Sequence, residues 1–219
     1  MHLQTLVPTP WRWAAAVLLG ACCANGAARA EPRTEQIASG LASPWAVAFI
    51  DEGRFLLTER PGRMRVVERD GKVGPAIGGV PHVEAGGQGG FLDLLLDSGF
   101  ASNRTLFFCF SEPGDGGNST ALARARLAPD RSRLEDVRVI FSQRPKVSSR
   151  MHFGCRILEA RDGSLFLTMG DRYSRMQDAQ RLDNHIGKVV RLTKDGAAAA
   201  GNPFAQRAGA LPEIWSYGH

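Results

Sequence analysis

Residues 148–172 read SSRMHFGCRILEARDGSLFLTMGDR. Two apolar runs flank Asp162-Gly163, and an Asp-Gly pair between such runs is typical of the tight turn of a β-hairpin. The residues just before the first strand of a hairpin and just after the second strand lie at the same end. The stretch therefore predicts a hairpin that makes neighbours of His152 and Asp171.

Short apolar runs like these two recur along the chain, separated by turn residues. The chain has 219 residues, of which 25 are glycine, 43% are hydrophobic and 22% are charged, which is a globular composition. The runs form three meanders whose second strands begin near residues 54, 105 and 164, a loose period of about 50–60 residues. The predicted strands are 44–50, 54–58, 64–68, a short strand through 73, 91–96, 105–110, 120–127, 155–158, 164–168, 188–192 and 213–215.

Four-stranded units at such a period are typical of β-propeller blades. We therefore expect an all-β fold in which residues 31–219 form an incomplete β-propeller of about three blades. Because a propeller needs about four blades to close, we expect this sequence to be part of a longer one. The alternative is a self-contained β-sandwich or small barrel. Residues 174–186 are predicted to form either a short helix or a long loop.

The N-terminus has the pattern of a secretory signal peptide. Arg12 precedes the apolar run 14–24, and the Ala-Arg-Ala of 28–30 gives a small-residue cleavage pattern before Glu31. We expect residues 1–30 to be removed and the mature protein to be periplasmic or secreted. The apolar run is too short to cross a bilayer comfortably, so no transmembrane span is expected.

The cysteines have different predicted fates. Leu19-Gly20-Ala21-Cys22 resembles a bacterial lipobox, so a lipoprotein anchored at Cys22 is the alternative to simple cleavage. Cys109 and Cys155 remain in the mature chain, where an oxidising compartment allows them to pair. Both lie in strand-like runs, so two buried thiols are equally consistent with the sequence. The absence of C-x-x-C spacing disfavours a structural zinc site.

The basic residues are scattered along the sequence. The net charge is +5, but the arginines alternate with apolar residues or lie in turns, whereas a nucleic-acid site would cluster them on one face. We therefore expect a solvated surface and no nucleic-acid partner, with an anionic ligand or surface as the alternative.

Gln88 is a candidate binding residue because four glycines surround it in Gly86-Gly87-Gln88-Gly89-Gly90. Glycine allows a close approach of the backbone to a ligand, and the glutamine amide offers both a donor and an acceptor. The alternative is a flexible turn whose glutamine faces water.

His152 and Asp171 form the candidate catalytic pair. A histidine titrates near neutral pH and can take a proton from a substrate hydroxyl, and a neighbouring carboxylate fixes its tautomer and stabilises the cation. The alternatives are a structural histidine and an aspartate that caps a turn. Arg172 is predicted to pair either with Asp171 or with a ligand anion. No G-x-S-x-G motif supports a serine hydrolase.

Seven sequence blocks in unbroken order resemble the soluble pyrroloquinoline quinone (PQQ)-dependent sugar dehydrogenases. This is the glucose/sorbosone dehydrogenase family, and the similarity is closer to its periplasmic aldose sugar dehydrogenases. It covers roughly residues 37–219. The blocks are GLASPWAVAF (40–49), GGQGG with the following FLDLLLD (86–97), HFGCRI (152–157), LTMGDR (167–172), GKVVRLTKDG (187–196), NPF (202–204) and EIWSYGH (213–219).

The resemblance implies a six-bladed β-propeller with PQQ, Ca²⁺ and a small-molecule sugar substrate near its central axis. It implies that His152 is the general base on the anomeric hydroxyl, while a hydride passes to the quinone and a lactone forms. Asp171 would orient His152, and Gln88 would contact the quinone or the sugar.

The chain departs from the family pattern after Gly218-His219, where the family continues with Arg-Asn. The calcium ligands and further basic residues that hold the quinone also lie in the absent half, and nothing in the sequence resembles an EF-hand loop. We therefore expect these 219 residues to be inactive alone. The alternative functions are a secreted propeller that only binds and, less favoured, a metal-dependent lactonase using His152 and Asp171.

Overall fold

Three four-stranded antiparallel sheets make up the fold in the computed structural model, which describes residues 32–219. The predicted signal peptide and the Cys22 anchor lie outside the described residues. The first sheet contains β1 (Pro44–Asp51), β2 (Arg54–Glu59), β3 (Arg63–Glu68) and β4 (Val73–Ala76). The second contains β5 (Phe91–Leu96), β6 (Thr105–Gly114), β7 (Gly117–Leu127) and β8 (Leu134–Ser142). The third contains β9 (Ile157–Glu159), β10 (Leu165–Met169), β11 (Lys188–Leu192) and β12 (Ile214–Tyr217).

Each sheet is a meander of sequence-adjacent strands, and the sheets contact one another through their first strands, β1, β5 and β9. This arrangement confirms the predicted β-propeller, with three blades, over a sandwich or a small barrel. Residues Gln36–His219 form one compact unit. In the described part of the chain the helices are α1 (Phe100–Asn103) and a 3-10 helix (Met176–Gln180), which lies within the segment predicted as a short helix or a loop. No helix among the described residues is long and apolar enough to cross a membrane.

Two hydrophobic cores lie on opposite faces of the second blade. Leu106 and Phe108 of β6 belong to the core shared with the first blade, whereas Phe107 and Cys109 belong to the core shared with the third. Because successive side chains of a strand point to opposite faces, the unbroken apolar run of β6 serves both cores. Complete burial of a phenylalanine or leucine side chain stabilises the folded state by about 1.5–3 kcal/mol. The side chains of β6 therefore stabilise the packing of the second blade against both of its neighbours.

The predicted hairpin of the third blade is present. Ile157 of β9 pairs with Leu167 of β10, and the pairing continues beyond the strands, where Gly170 donates its backbone N–H to the Phe153 carbonyl at 3.3 Å. The segment that carries His152 is therefore held beside the segment that follows β10.

Cys109 and Cys155 form a disulfide. It joins β6 of the second blade to the residues just before β9 of the third. Of the two alternatives that the sequence left open, the structure has the bonded pair, and the bond lies three residues from His152.

One strand, β8, was missed by the sequence analysis. It is the outermost strand of its blade, and most of its residues are exposed or half-buried. Charged residues at 135, 136 and 138 interrupt the apolar pattern of this edge strand, so its sequence did not stand out as a strand.

Candidate active site

His152 lies at the end of the third blade, directly before the paired part of the hairpin. Its Nδ1 is 2.7 Å from Oδ1 of Asp171, and its side chain is 42% exposed. Since an ionised carboxylate only accepts hydrogen bonds, Nδ1 carries a proton, and in the neutral imidazole Nε2 therefore has the free lone pair. The structure thus brings the two residues together in the arrangement that leaves Nε2 of a partly exposed imidazole able to accept a proton.

Asp171 is held as an anion. Its Oδ1 also accepts a hydrogen bond from the backbone N–H of Tyr173 at 2.8 Å. Burial raises the pKa of the Asp171 carboxyl, but the hydrogen bonds from Tyr173 and His152 outweigh it, so the net pKa is lowered. Asp171 therefore both caps its turn and pairs with the imidazole, and the two alternatives drawn from the sequence coexist.

Gln88 is bound to the His152 segment rather than free in water. Its Oε1 accepts a hydrogen bond from the backbone N–H of His152 at 2.8 Å, and its own backbone N–H donates to the Arg150 carbonyl at 2.8 Å. The amide oxygen is thereby committed to His152, and the amide nitrogen is the atom left for a ligand.

The glycines around Gln88 are needed for close packing. A Cβ at Gly89 would lie 2.5 Å from Oγ of Ser111 and 2.7 Å from the Phe153 ring. At Gly87, where φ is +55°, a Cβ would lie 2.5 Å from the Arg150 carbonyl oxygen. The loop of the second blade therefore lies directly against the His152 segment of the third, which only glycine permits.

His152 and Gln88 line one cavity of about 290 Å³. Residues of all three blades contribute to it, with Trp45 and Arg60 from the first. Neither residue stands out in the sequence, because Trp45 lies in a strand-like run and Arg60 is one of many scattered arginines. The lining residues are Trp45, Arg60, Gln88, Leu92, His152, Phe153 and Gly154.

Arg172 does not behave as the sequence predicted. It is fully buried, and its guanidinium donates to the backbone carbonyls of Met151, Ser149 and Asn118 and to the Asn118 side chain. The expectation that it pairs with Asp171 or faces a ligand anion is therefore wrong. Burial lowers its pKa to about 10, so it remains charged at neutral pH.

The family model described as Glucose / Sorbosone dehydrogenase matches residues 41–219. The chain belongs to this family. Its fold is accordingly that of the quinoprotein sugar dehydrogenase propellers, with three blades in residues 32–219.

The similar proteins agree with the family match. The chain is 41% identical over 201 residues to aldose sugar dehydrogenase YliI of Escherichia coli (strain K12), which covers 90% of this chain and 54% of that protein. A glucose dehydrogenase crystal structure is 45% identical with a TM-score of 0.82, covering 86% of this chain and 55% of that one. The PQQ-bound aldose sugar dehydrogenase from Streptomyces coelicolor is 28% identical with a TM-score of 0.72, covering 84% and 53%. The chain thus spans about half the length of these relatives.

The chemistry of the lining residues suits PQQ, a planar tricyclic quinone with carboxylate groups. Trp45 supplies an aromatic surface, Arg60 a cation for a carboxylate and Gln88 an amide donor. Calcium is different: residues 32–219 contain no group of three or more His, Cys, Asp or Glu side chains placed to hold a metal. We therefore assign no residue and no step to calcium.

Proposed function

We propose that this protein contributes to the oxidation of an aldose at its anomeric carbon, giving the lactone, with PQQ as cofactor. The observation that carries the proposal is the His152–Asp171 hydrogen bond at a cavity that Gln88 also lines. Membership of the glucose/sorbosone dehydrogenase family supports the reaction class, and the PQQ-bound relative supports the cofactor.

His152 acts as the general base in this proposal. Its Nε2 takes the proton of the anomeric hydroxyl as a hydride leaves the anomeric carbon, so the sugar loses two electrons and two hydrogens in all. PQQ, when bound, supplies the acceptor for the hydride. Asp171 stabilises the imidazolium that forms on His152 and keeps Nδ1 protonated throughout.

The remaining cavity residues bind and orient. Gln88 fixes the backbone at His152 through its amide oxygen and offers its amide nitrogen to the sugar or the quinone. Arg60 and Trp45 would hold the cofactor by charge and by stacking.

We place this reaction in the periplasm, with residues 1–30 as a signal peptide and residues 31–219 as the propeller portion. The pattern of the N-terminal sequence supports this proposal. Secretion also suits the Cys109–Cys155 disulfide, because such bonds persist in oxidising compartments.

The test uses the full chain and a hybrid. In the hybrid, residues 41–219 replace the matching segment of the E. coli aldose sugar dehydrogenase, since that segment is about half of the relative. Each protein is loaded with PQQ and a calcium salt, and aldose oxidation is followed with an artificial electron acceptor. We expect lactone formation by the hybrid and a loss of at least about 100-fold in kcat for His152→Ala.

The control variant is His82→Ala, since His82 is exposed and lies outside the cavity. A hybrid that binds PQQ, melts cooperatively and oxidises aldoses equally well with and without His152 would contradict the proposal. PQQ binding without any turnover would instead favour a propeller that only binds.

A further inference from the structure

Arg172 is the largest fully buried side chain among the described residues. Among residues 32–219, its guanidinium donates only to carbonyl and amide oxygens, and the Glu84 carboxylate acts on it by its charge. Burying a charge without a directly bonded opposite charge is costly, and the cost is tolerated where several hydrogen bonds compensate it.

The guanidinium holds the backbone that leads into His152. Its Nε donates to the Met151 carbonyl at 3.1 Å, and Nη2 donates to the Ser149 carbonyl at 2.6 Å. In return, Oγ of Ser149 donates to the Arg172 carbonyl at 2.8 Å. The segment before His152 and the segment containing Asp171 and Arg172 are thus joined in both directions.

Phe153, the residue that follows His152, also contacts Arg172. The Arg172 guanidinium lies over the Phe153 ring, 3.9 Å from its centre, which is a close cation–π contact. The residue before His152 and the residue after it therefore both contact the same guanidinium.

Asn118 anchors the guanidinium to the second blade. Nη1 donates to the Asn118 carbonyl at 3.2 Å, and Nη2 donates to Oδ1 of the same residue. The Asn118 amide nitrogen donates in turn to Glu84 at 3.0 Å. The guanidinium of Arg172 is thus also bonded to a strand of the neighbouring blade, outside the loop that it holds.

The loop needs such support because its backbone is strained. His152, Arg172 and Tyr173 have φ values of +50°, +58° and +61°. Non-glycine residues adopt this left-handed region only where the surroundings enforce it. All three lie where the His152 and Asp171 segments meet.

We propose that Arg172 is a positioning residue that fixes His152 in its hydrogen bond to Asp171 by binding the Ser149 and Met151 carbonyls and stacking on Phe153. This inference rests on the proposed role of His152 as the base. A lysine cannot replace the arginine, because an ammonium is a point donor without the planar fork and stack.

The experiment reads the His152 ring directly, in the full chain without sugar or PQQ. The ¹⁵N shifts of the imidazole report which nitrogen carries the proton. We expect wild type to show the Nδ1–H tautomer almost exclusively. In Arg172→Gln and Arg172→Lys we expect the ratio of Nδ1–H to Nε2–H to fall at least tenfold.

The matched control is Arg191→Gln. Arg191 also stacks on aromatic rings, Phe166 and Trp215, and donates to a backbone carbonyl, that of Ala200, at 3.1 Å. We expect Arg191→Gln to lower the melting temperature and to leave the His152 tautomer ratio unchanged. A residue with a merely structural role would behave like Arg191.

A second variant keeps the test decisive if the Arg172 variants do not fold. Asn118→Ala removes one acceptor of the Arg172 fork and is expected to shift the tautomer ratio in the same direction by a smaller factor. Unchanged ratios in Arg172→Lys, Arg172→Gln or, where those do not fold, Asn118→Ala would overturn the proposal. Because the readout needs no turnover, failure of the proposed dehydrogenase activity is scored separately, by the hybrid assay.

Discussion

At the scale of single residues, Asp171 controls which nitrogen of His152 is free. One carboxylate oxygen accepts hydrogen bonds from both Nδ1 of His152 and the Tyr173 backbone. In Asp171→Asn an amide can donate to Nδ1 instead, which would put the proton on Nε2 and remove the base. We expect kcat of the hybrid to fall by about 10³–10⁴-fold with KM for the sugar changed much less.

Steady-state kinetics over a range of pH check this prediction. Asp171→Glu serves as the control, because it keeps the anion while lengthening the side chain, and it should retain more activity than the asparagine variant. Equal kcat values for wild type and Asp171→Asn would contradict the role assigned to Asp171.

Glu59 shows how a buried carboxylate makes stability depend on pH. Its side chain is 1% exposed and accepts hydrogen bonds from Arg63 and Arg65 at 2.7 Å. Burial raises the pKa of Glu59, but the hydrogen bonds from Arg63, the Ala42 backbone and Arg65 outweigh it and lower the pKa to about 2. Because the folded-state pKa lies below the ordinary value, the stabilisation is complete above that value and is lost as pH falls toward 2.

We expect Glu59→Gln to cost about 1–3 kcal/mol at pH 7, since it removes the buried anion that accepts the hydrogen bonds of Arg63, Arg65 and the Ala42 backbone. The cost should shrink steadily as the pH is lowered below the ordinary pKa of a glutamate. Urea unfolding at a series of pH values measures it, with the exposed Glu52→Gln as control. A cost that stays constant from neutral to acid pH would show that the Glu59 charge does not stabilise the fold.

At the scale of elements, the hairpin of β9 and β10 positions His152 only because Gly170 has no side chain. A Cβ at Gly170 would lie 2.3 Å from the His152 carbonyl oxygen, while its φ lies outside the left-handed region. Gly170→Ala is therefore a purely steric test. We expect it to destabilise the fold by about 1–3 kcal/mol and to disrupt the His152–Asp171 hydrogen bond.

Chemical denaturation and the His152 ¹⁵N shifts measure the two effects. Gly53→Ala is the matched control, since the nearest atoms to a Cβ there are at 3.8 Å, an ordinary contact distance. If Gly170→Ala leaves both stability and the imidazole shifts unchanged, the close packing of these two segments does not hold His152.

The hairpin also shows what sequence can predict. Asp162-Gly163 between apolar runs was sufficient to place His152 and Asp171 at one end, because strand pairing follows from local turn chemistry. The burial of Arg172 was not predictable, because its acceptors at Asn118 and Ser149 come from segments distant in sequence. The hydrogen bond that the His152 backbone N–H donates to Gln88 likewise depends on how two blades pack, which a local sequence pattern does not predict.

At the scale of the whole molecule, the blades are joined by specific cross-links in addition to their apolar cores. The disulfide of Cys109 and Cys155 joins the second blade to the third near the candidate site. Lys194 of the third blade makes ion pairs with Asp97, which follows β5 of the second blade, and with Glu159 of β9 at 2.7 Å. The two carboxylates are nearly buried, with side-chain exposures of 6% and 11%.

Lys194 is therefore expected to stabilise the contact between these two blades. Burial raises the pKa values of Asp97 and Glu159, but hydrogen bonds, with that from Lys194 the largest for each, outweigh it and lower both. In Lys194→Met two buried carboxylates would face each other without a cation. We expect a loss of about 1–3 kcal/mol at pH 7, below the value for a fully buried pair because Lys194 is partly exposed.

The direction in which the stability cost of Lys194→Met changes with pH shows whether the carboxylate charges cause it. Lowered carboxyl pKa values stabilise the fold at neutral pH, and this contribution disappears as the carboxylates become protonated, so the cost of Lys194→Met should shrink at acid pH. Adding Glu159→Gln to Lys194→Met should recover part of the lost stability, because one of the two unpaired negative charges is removed.

Arg181→Met is the control, since the ion pair of Arg181 with Asp183 is local and exposed and should contribute about 0–1 kcal/mol. Urea unfolding of the four proteins at neutral and acid pH decides the point: a loss in Lys194→Met no greater than in Arg181→Met would mean that the ion pairs of Lys194 do not stabilise the contact between the two blades.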